Sequence, residues 1–321
     1  MNEYFKRRQQ CPGCEGTKGM ELCRIPYTAN PMREYLISFY SPQGGVEFEY
    51  LENQDYVLVE CDQCGLIYQS EIPNDSLMHK LYEEWLDPRK CFDLYERPRD
   101  IQYFARLSSE IVRIVSVFDR PPMDLKFLDF SMGWGHWCRI AQSFGCLVHG
   151  TEFSQSRIEY ARSKGVTVIG VDEIGNHRYD FINTEQVFEH LPDIKTTLAD
   201  LTRSLKPDGI LKIGVPNGWD IKQRLEIWDW AAPKGSPKSL NPVAPLEHVN
   251  CFNHYSLLAL ARRCGLVPFA LNKTQTVAQQ RRGIKQAIKD VVRPYYHKLK
   301  GIRRPPAMQG TNLFFRLPDV T

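Results

Sequence analysis

The spacing of apolar positions changes repeatedly along the chain, and each change predicts a different element. Val46, Phe48 and Tyr50 alternate with acids, and YVLVE follows at 56–60, the two-residue period of strands. From Asn74 the spacing lengthens. Leu77, Met78, Leu81, Tyr82 and Trp85 share one face, and Asn74 or Asp75 stands ready to cap a short helix. Ile101, Phe104, Leu107, Ile111, Ile114 and Phe118 predict a longer amphipathic helix that ends before Pro121-Pro122. From Lys126 strands and helices alternate. KFLDF, CLVHGTE, VTVI, YDFINT, GILKIGVP and VPFAL read as strands, with TNLFFRL as the last. Helices fall at 137–144 before Gly145, at 155–164 between Ser154 and Gly165, over DIKTTLADLTRSL, and at 255–264 before Gly265. Pro233, Pro237, Pro242 and Pro245 mark a loop over 231–246. Such alternation predicts an α/β fold with a parallel sheet, right-handed crossovers, and ligands at the strands' carboxyl ends.

Composition changes this picture little. With 321 residues, 42% hydrophobic and 25% charged, the chain is ordinary for a soluble protein of one large domain or two smaller ones. No apolar run approaches the roughly 20 residues of a membrane span. MNEYFKRRQQCPGC lacks the apolar stretch of a secretory signal, so the expectation is cytoplasmic. The ten cysteines should then be thiols or metal ligands. Charge is unevenly distributed. Residues 272–304 carry ten Lys or Arg and one acid, a net +9 against +3 for the whole chain. The segment reads as a solvated or docked basic helix in preference to a nucleic-acid surface, because only Tyr295 and Tyr296 interleave with its charges.

The stretch Phe127-Leu-Asp-Phe-Ser-Met-Gly-Trp-Gly135 holds the candidate binding chemistry. A strand ends at Asp129, and two glycines follow as the chain enters a helix, where a ligand can approach the backbone closely. Glu152, at the end of the second strand, is placed to hold a ribose diol. A dinucleotide fold wants a third small residue at 138. Cys138 stands there after His136 and Trp137, which favours a nucleoside without phosphates. Plain strand-to-helix packing is the other reading of these glycines.

Five motifs in order carry a resemblance. FLDFSMGWGHW, GTEFS, YDFINTEQVFEHLPD, LTRSLKPDGILKIGVPNG and EHVNCFNHYSLLALARRCGL, over roughly Leu125 to Ala270, resemble class I S-adenosylmethionine-dependent methyltransferases. The last motif resembles a branch that includes sugar-modifying enzymes. The resemblance implies an enzyme with a Rossmann-like, seven-stranded, mostly parallel sheet of order 3-2-1-4-5-7-6. S-adenosylmethionine is its implied cofactor. Asp129, Ser131, Gly133 and Gly135 would line the methionine and ribose portion, and Glu152 would bind the ribose hydroxyls. Phe153 would flank the adenine, Asp172 would approach its amino group, and Thr184 to Gln186 would pass beneath the sulfonium. Ser131 departs from the family's usual glycine or cysteine.

A sulfonium methyl is already activated, so the protein's task is to align the acceptor and remove its proton. The candidate catalytic residues are His248 with Glu247 beside it, and His190, whose other reading is an imidazole that holds local backbone. Related sugar C-methyltransferases carry Tyr-x-Glu-His there, but this chain has Pro245 at the Tyr position. Other relatives hold a divalent cation with Glu-x-x-Glu-His. Here Gln186 replaces the first carboxylate, which disfavours a metal.

Cys11-Pro-Gly-Cys14 and Cys61-Asp-Gln-Cys64 are paired as in tetrahedral zinc sites, although the 46 intervening residues exceed a compact ribbon. The text Cys64-Gly65-Leu66 followed by Leu81-Tyr82 resembles a zinc-binding module of related methyltransferases. A structural zinc on Cys11, Cys14, Cys61 and Cys64 is expected. A redox dithiol is the runner-up, and Cys23 an alternate ligand. The expected organisation is a zinc module over 1–70, a helical linker over 71–122, and a methyltransferase domain over 123–321. The expected acceptor is a small molecule, a sugar or nucleotide-linked sugar, ahead of RNA or another macromolecule. A cofactor-binding protein without catalysis is a third reading. Acceptor atom and oligomeric state are not legible.

Overall fold

The computed structural model describes residues 2–271 and 311–319. The basic segment 272–304 lies outside them. In chain order the N-terminal strands are β1 (Phe5–Arg7), β2 (Gly19–Pro26), β3 (Asp55–Cys61), β4 (Ile67–Gln69) and β5 (Glu71–Pro73), with α1 (Met32–Tyr40) between β2 and β3. Next come α2 (Asp75–Lys80), α3 (Pro88–Cys91) and α4 (Ile101–Val115). The larger sheet takes β6 (Lys126–Asp129), β7 (Leu147–Gly150), β8 (Thr167–Val168), β9 (Tyr179–Glu185), β10 (Leu205–Val215), β12 (Val267–Phe269) and β13 (Thr311–Arg316). Its helices are α5 (His136–Ser143), α6 (Gln155–Ser163), α7 (Ile194–Arg203), α8 (Ile221–Ile227) and α9 (His254–Arg263). The short β11 (Asn250–Cys251) lies between α8 and α9.

The seven strands follow the order β12-β13-β10-β9-β6-β7-β8. Numbered from β6, that is the expected 3-2-1-4-5-7-6, with β13 antiparallel to both neighbours. One face, with Phe127 and Phe181, packs under α4 and α5, where Trp137 stacks on Phe181 with ring centroids 5.8 Å apart. Such pairs add about 0.5–1.5 kcal/mol beyond area burial. The other face, with Leu128, Ile182 and Ile213, packs against Leu198 and Leu201 of α7 and Leu257 and Leu260 of α9.

A second sheet, β11-β4-β3-β2, joins the N-terminal strands to β11, far along the chain. β4 pairs antiparallel with β11, Tyr68 opposite Asn250. The N-terminal residues are therefore built into the loop region that follows α8.

One local expectation fails. Residues 46–50 form no strand; Phe48–Leu51 is a 3-10 turn. The turn drives Leu51 into full burial and sets Tyr50 against Tyr4 and Trp85. Glu47 holds the turn by accepting from the Trp85 indole at 3.0 Å. The alternation thus served tertiary contacts, not a ladder. Asn74 does cap α2, accepting from the Leu77 N–H at 3.0 Å.

Candidate active site

The loop after β6 turns on three residues in the left-handed region: Ser131 at φ 61°, Gly133 at 58° and Gly135 at 74°. Ser131 is held there because its N–H donates to Thr151 Oγ1 at 3.1 Å. Gly133 has open space where a Cβ would stand, so a ligand meets bare backbone. Glu152, just beyond β7, organises the loop. Its Oε2 accepts from the Gly133 N–H at 2.9 Å, and its Oε1 accepts from Phe153 and Ser154 N–H at 2.8 and 3.1 Å. The carboxylate thereby satisfies the start of α6 in place of Ser154, whose side chain makes no cap bond. Phe153 is 69% exposed beside it.

Asp129 ends β6 in a buried row across the sheet, opposite Asn183 of β9, which is opposite Lys212 of β10. The Asn183 amide donates to it at 2.7 Å and the Cys138 thiol at 3.5 Å. Burial nonetheless pushes its carboxyl up to about 7. Asp172 is exposed on a 3-10 turn after β8. Thr184 is fully buried and donates to the Lys212 carbonyl at 2.9 Å, so only its backbone is free to pass beneath a ligand. Gln186 is exposed, at φ 56°, with its N–H on Gly214 O.

His190 and His248 do come together, with ring centroids 4.8 Å apart at an interplanar angle of 87°. The Tyr82 hydroxyl sits 3.1 Å from His190 Nδ1. Tyr40 donates to Glu247 Oε1 at 2.9 Å. Burial pushes His190 down to about 4 and His248 well below its ordinary value, and it pushes the Glu247 carboxyl up. Burial thus favours the neutral form of both imidazoles. Glu189, beside His190, is 1% exposed. Burial holds its carboxyl well above the usual range.

Backbone strain marks the same places. Ser131 and Leu246, immediately before the glycine loop and the Glu247-His248 pair, and Gln186, three residues before Glu189, are non-glycine residues at positive φ, as are Glu15, Asn53 and Trp228 elsewhere. Such conformations cost about 1–3 kcal/mol each and persist only where surrounding contacts impose them. The contacts are visible. Asn250 donates from Nδ2 to Phe188 O and Leu191 O at 2.9 and 2.8 Å, and its N–H reaches Glu189 O at 3.0 Å. Gln69, at the end of β4, donates to the His248 carbonyl at 3.1 Å. Arg8 donates to Val249 O and Asn250 Oδ1. The two histidine loops are thus stapled to each other and to the N-terminal sheet.

The four cysteines also converge. Cys11 Sγ stands 3.6 Å from Cys64 Sγ, and Cys14 Sγ 3.4 Å from Cys61 Sγ, with all four sulfurs within 4.8 Å of one another. Sulfurs bonded tetrahedrally at about 2.3 Å to zinc stand about 3.8 Å apart, so the donor set and size fit that ion. Each pair is followed by a left-handed residue, Glu15 or Gly65, that closes the turn. Cys23 lies outside the cluster.

A family model described as "methyltransferase domain" matches residues 98–270. The chain belongs to this family. It is a methyltransferase by that membership, and the match spans the glycine loop, Glu152 and both histidine loops. Among curated proteins it is 27% identical to a ubiquinone biosynthesis O-methyltransferase of Bartonella bacilliformis, over 46% of this chain and 64% of that protein. The like-named protein of Bartonella quintana is 26% identical, over 60% of this chain and 84% of its own length. Among solved structures, a TehB-like SAM-dependent methyltransferase from Corynebacterium glutamicum is 17% identical, covering 76% of this chain and all of that one, with a TM-score of 0.41. The magnesium protoporphyrin IX methyltransferase of Synechocystis PCC 6803, with bound SAH, is 11% identical over 76% of this chain and 100% of its own, with a TM-score of 0.47.

Some residues of this candidate site carried no readable signal. Tyr82 read as part of an apolar helix face, and Tyr40 lies on a helix that periodicity did not reveal. Arg157 of α6 is 3.9 Å from Glu152, lies over the Trp134 ring, and exerts its charge on His190 and Glu247. Nothing in SQSRIEYARSK distinguishes it from a solvated arginine.

Proposed function

We propose that the protein is an S-adenosylmethionine-dependent enzyme that methylates a small biosynthetic acceptor, a sugar or nucleotide-linked sugar, with His248 as general base. The observation that carries this reading is Glu152, whose buried carboxylate clasps Gly133 and the start of α6 beside a glycine with open space at its Cβ position. In this reading Asp129, Ser131, Gly133 and Gly135 line the methionine and ribose, Glu152 accepts from the diol, Phe153 flanks the base, and Asp172 and the Thr184 to Gln186 backbone complete the cleft. The bound cofactor supplies a methyl group activated by a positive sulfur. The chain's residues do the rest. Tyr82 orients His190, Tyr40 holds Glu247, and the neutral His248 receives the acceptor's proton. General bases of this kind contribute about 10²–10⁴ in rate.

The four cysteines are proposed to hold a structural zinc, which would fix the turn leading into β4 and, through β11, the His248 loop. Among the described residues no helix is long and apolar enough to cross a membrane. A second acceptor class is favoured by the curated relatives, which are named as O-methyltransferases of ubiquinone biosynthesis. Incubation with methyl-labelled S-adenosylmethionine decides between them, using one panel of nucleotide-linked sugars and one of catechols. Label on a sugar nucleotide supports the proposal, label on a catechol favours the second reading, and label on neither overturns the small-molecule reading.

A further inference from the structure

Glu189 carries a buried carboxyl whose two oxygens have no hydrogen-bond partner, and His248 Nδ1 is likewise buried and unpartnered. Buried polar atoms are normally satisfied, and a lone buried carboxylate is costly. The placement is not slack. The Glu189 backbone carbonyl accepts from Asn250, and Asn250 also pins Phe188 and Leu191 on either side. The ligating atoms of Glu189, His190 and His248 lie within 4.8 Å of one another, with His190 Nε2 3.8 Å from Glu189 Oε1. His190 already has the Tyr82 hydroxyl on its other nitrogen. The groups left over are therefore complementary: acceptor oxygens on Glu189 and a ring nitrogen on His248. A ligating atom of Glu189 and one of His248 lie within 4.8 Å, longer than a hydrogen bond, and catalytic hydrogen bonds are often long before the ligands bind.

We infer that Glu189 is the positioning residue of the base: its carboxyl takes the His248 Nδ1–H, which fixes the tautomer and leaves Nε2 as the basic nitrogen. The inference rests on His248 being the base. On turnover the acceptor loses one proton and gains one methyl, the carbon–sulfur electron pair stays on sulfur, and the proton ends on His248 Nε2. The positive charge thus moves from the sulfonium to an imidazolium, and Glu189 compensates it there, as the acidic member of a hydrolase triad does. The other groups facing this site are His190, Tyr82, Glu185 of β9, Glu247, Lys234 of the Pro-rich loop, and Arg157 of α6. Burial disfavours charge on the histidine and on the carboxyl taken singly, and the hydrogen bond between them offsets that cost.

The test is nitrogen-15 NMR of the full chain labelled in histidine, with His190 and His248 assigned from H190Q and H248Q. In the wild type, His248 should carry its proton on Nδ1. In Glu189→Gln the Nδ1–H form should fall at least tenfold, and in Glu189→Asp it should largely return. A merely structural Glu189 would leave the tautomer unmoved. Two results overturn the inference: an Nε2–H tautomer in the wild type, or the same tautomer in E189Q. A second divalent ion beyond zinc that is lost in E189Q overturns it too, because the carboxyl would then be a metal ligand. The wild-type tautomer is read without E189Q, so it tests the inference even where that variant does not fold. S-adenosylhomocysteine titration of the same samples separates the two claims, since absent binding with the Nδ1–H tautomer intact condemns the proposed function alone.

Discussion

Replacing Glu152 by Gln keeps the side chain's shape and removes its charge. In the wild type one carboxylate accepts three backbone N–H groups, two on Oε1 and one on Oε2. A glutamine has one acceptor oxygen. Turned to keep Phe153 and Ser154, it sets its NH₂ against the Gly133 N–H, and a buried donor left without a partner costs about 1–3 kcal/mol. The surviving bonds also lose their charge assistance, about half their strength. A ribose diol would suffer the same loss. Taken together, about 2–4 kcal/mol should disappear from cofactor binding, or roughly 30- to 1,000-fold in affinity at 1.4 kcal/mol per decade. Isothermal titration of S-adenosylhomocysteine into wild type and E152Q reads this directly, with circular dichroism as the control for folding. A variant that folds normally and binds within threefold of wild type would refute the reasoning.

Further expectations concern the metal, the glycine loop and pH. Mass spectrometry should find about one zinc per chain. Cys61→Ser should lower that below about a tenth and reduce the melting temperature, because metal binding at such sites is coupled to folding. Gly135→Ala puts a Cβ at φ 74°, 3.2 Å from Ala161 Cβ and 3.3 Å from Val166 Cγ2. A loss of about 1–3 kcal/mol in urea unfolding should follow from the left-handed penalty and the crowding. His149 is held down to about 4 by burial and by the Lys126 and His177 charges. Its folded value is below its unfolded one, so its contribution is present above pH 6.5 and lost as pH falls toward 4. Between pH 7.5 and 4.5 the wild-type urea midpoint should therefore fall further than that of His149→Gln; equal falls would exclude the histidine.

The larger sheet was legible because its strands are apolar runs separated by helices with visible stops. Gly145, Gly165 and Gly265 all take positive φ, at 95°, 83° and 75°. The glycine loop after β6 was legible for a related reason, since glycines and a strand-end acid are local features. Contacts between distant segments were not. Arg8 bonds to Asn250 across 242 positions, and Tyr40 to Glu247 across 207, and no local pattern announces either. Residues 46–50 misled because aromatic contacts at a turn alternate as a strand does. Glu189 was visible only as half of a missing metal pair, and its unpartnered oxygens emerge only when β11 brings His248 beside it.

The claim beneath all of this is that a sulfur-bearing nucleoside binds over the β6 loop with its ribose at Glu152. Titrating the unmodified protein calorimetrically with S-adenosylmethionine, and with its demethylated product, measures that claim alone. One site per chain for each compound, with the product displaced by the cofactor, is the predicted result. Absence of binding by both, in protein shown to be folded, would contradict it.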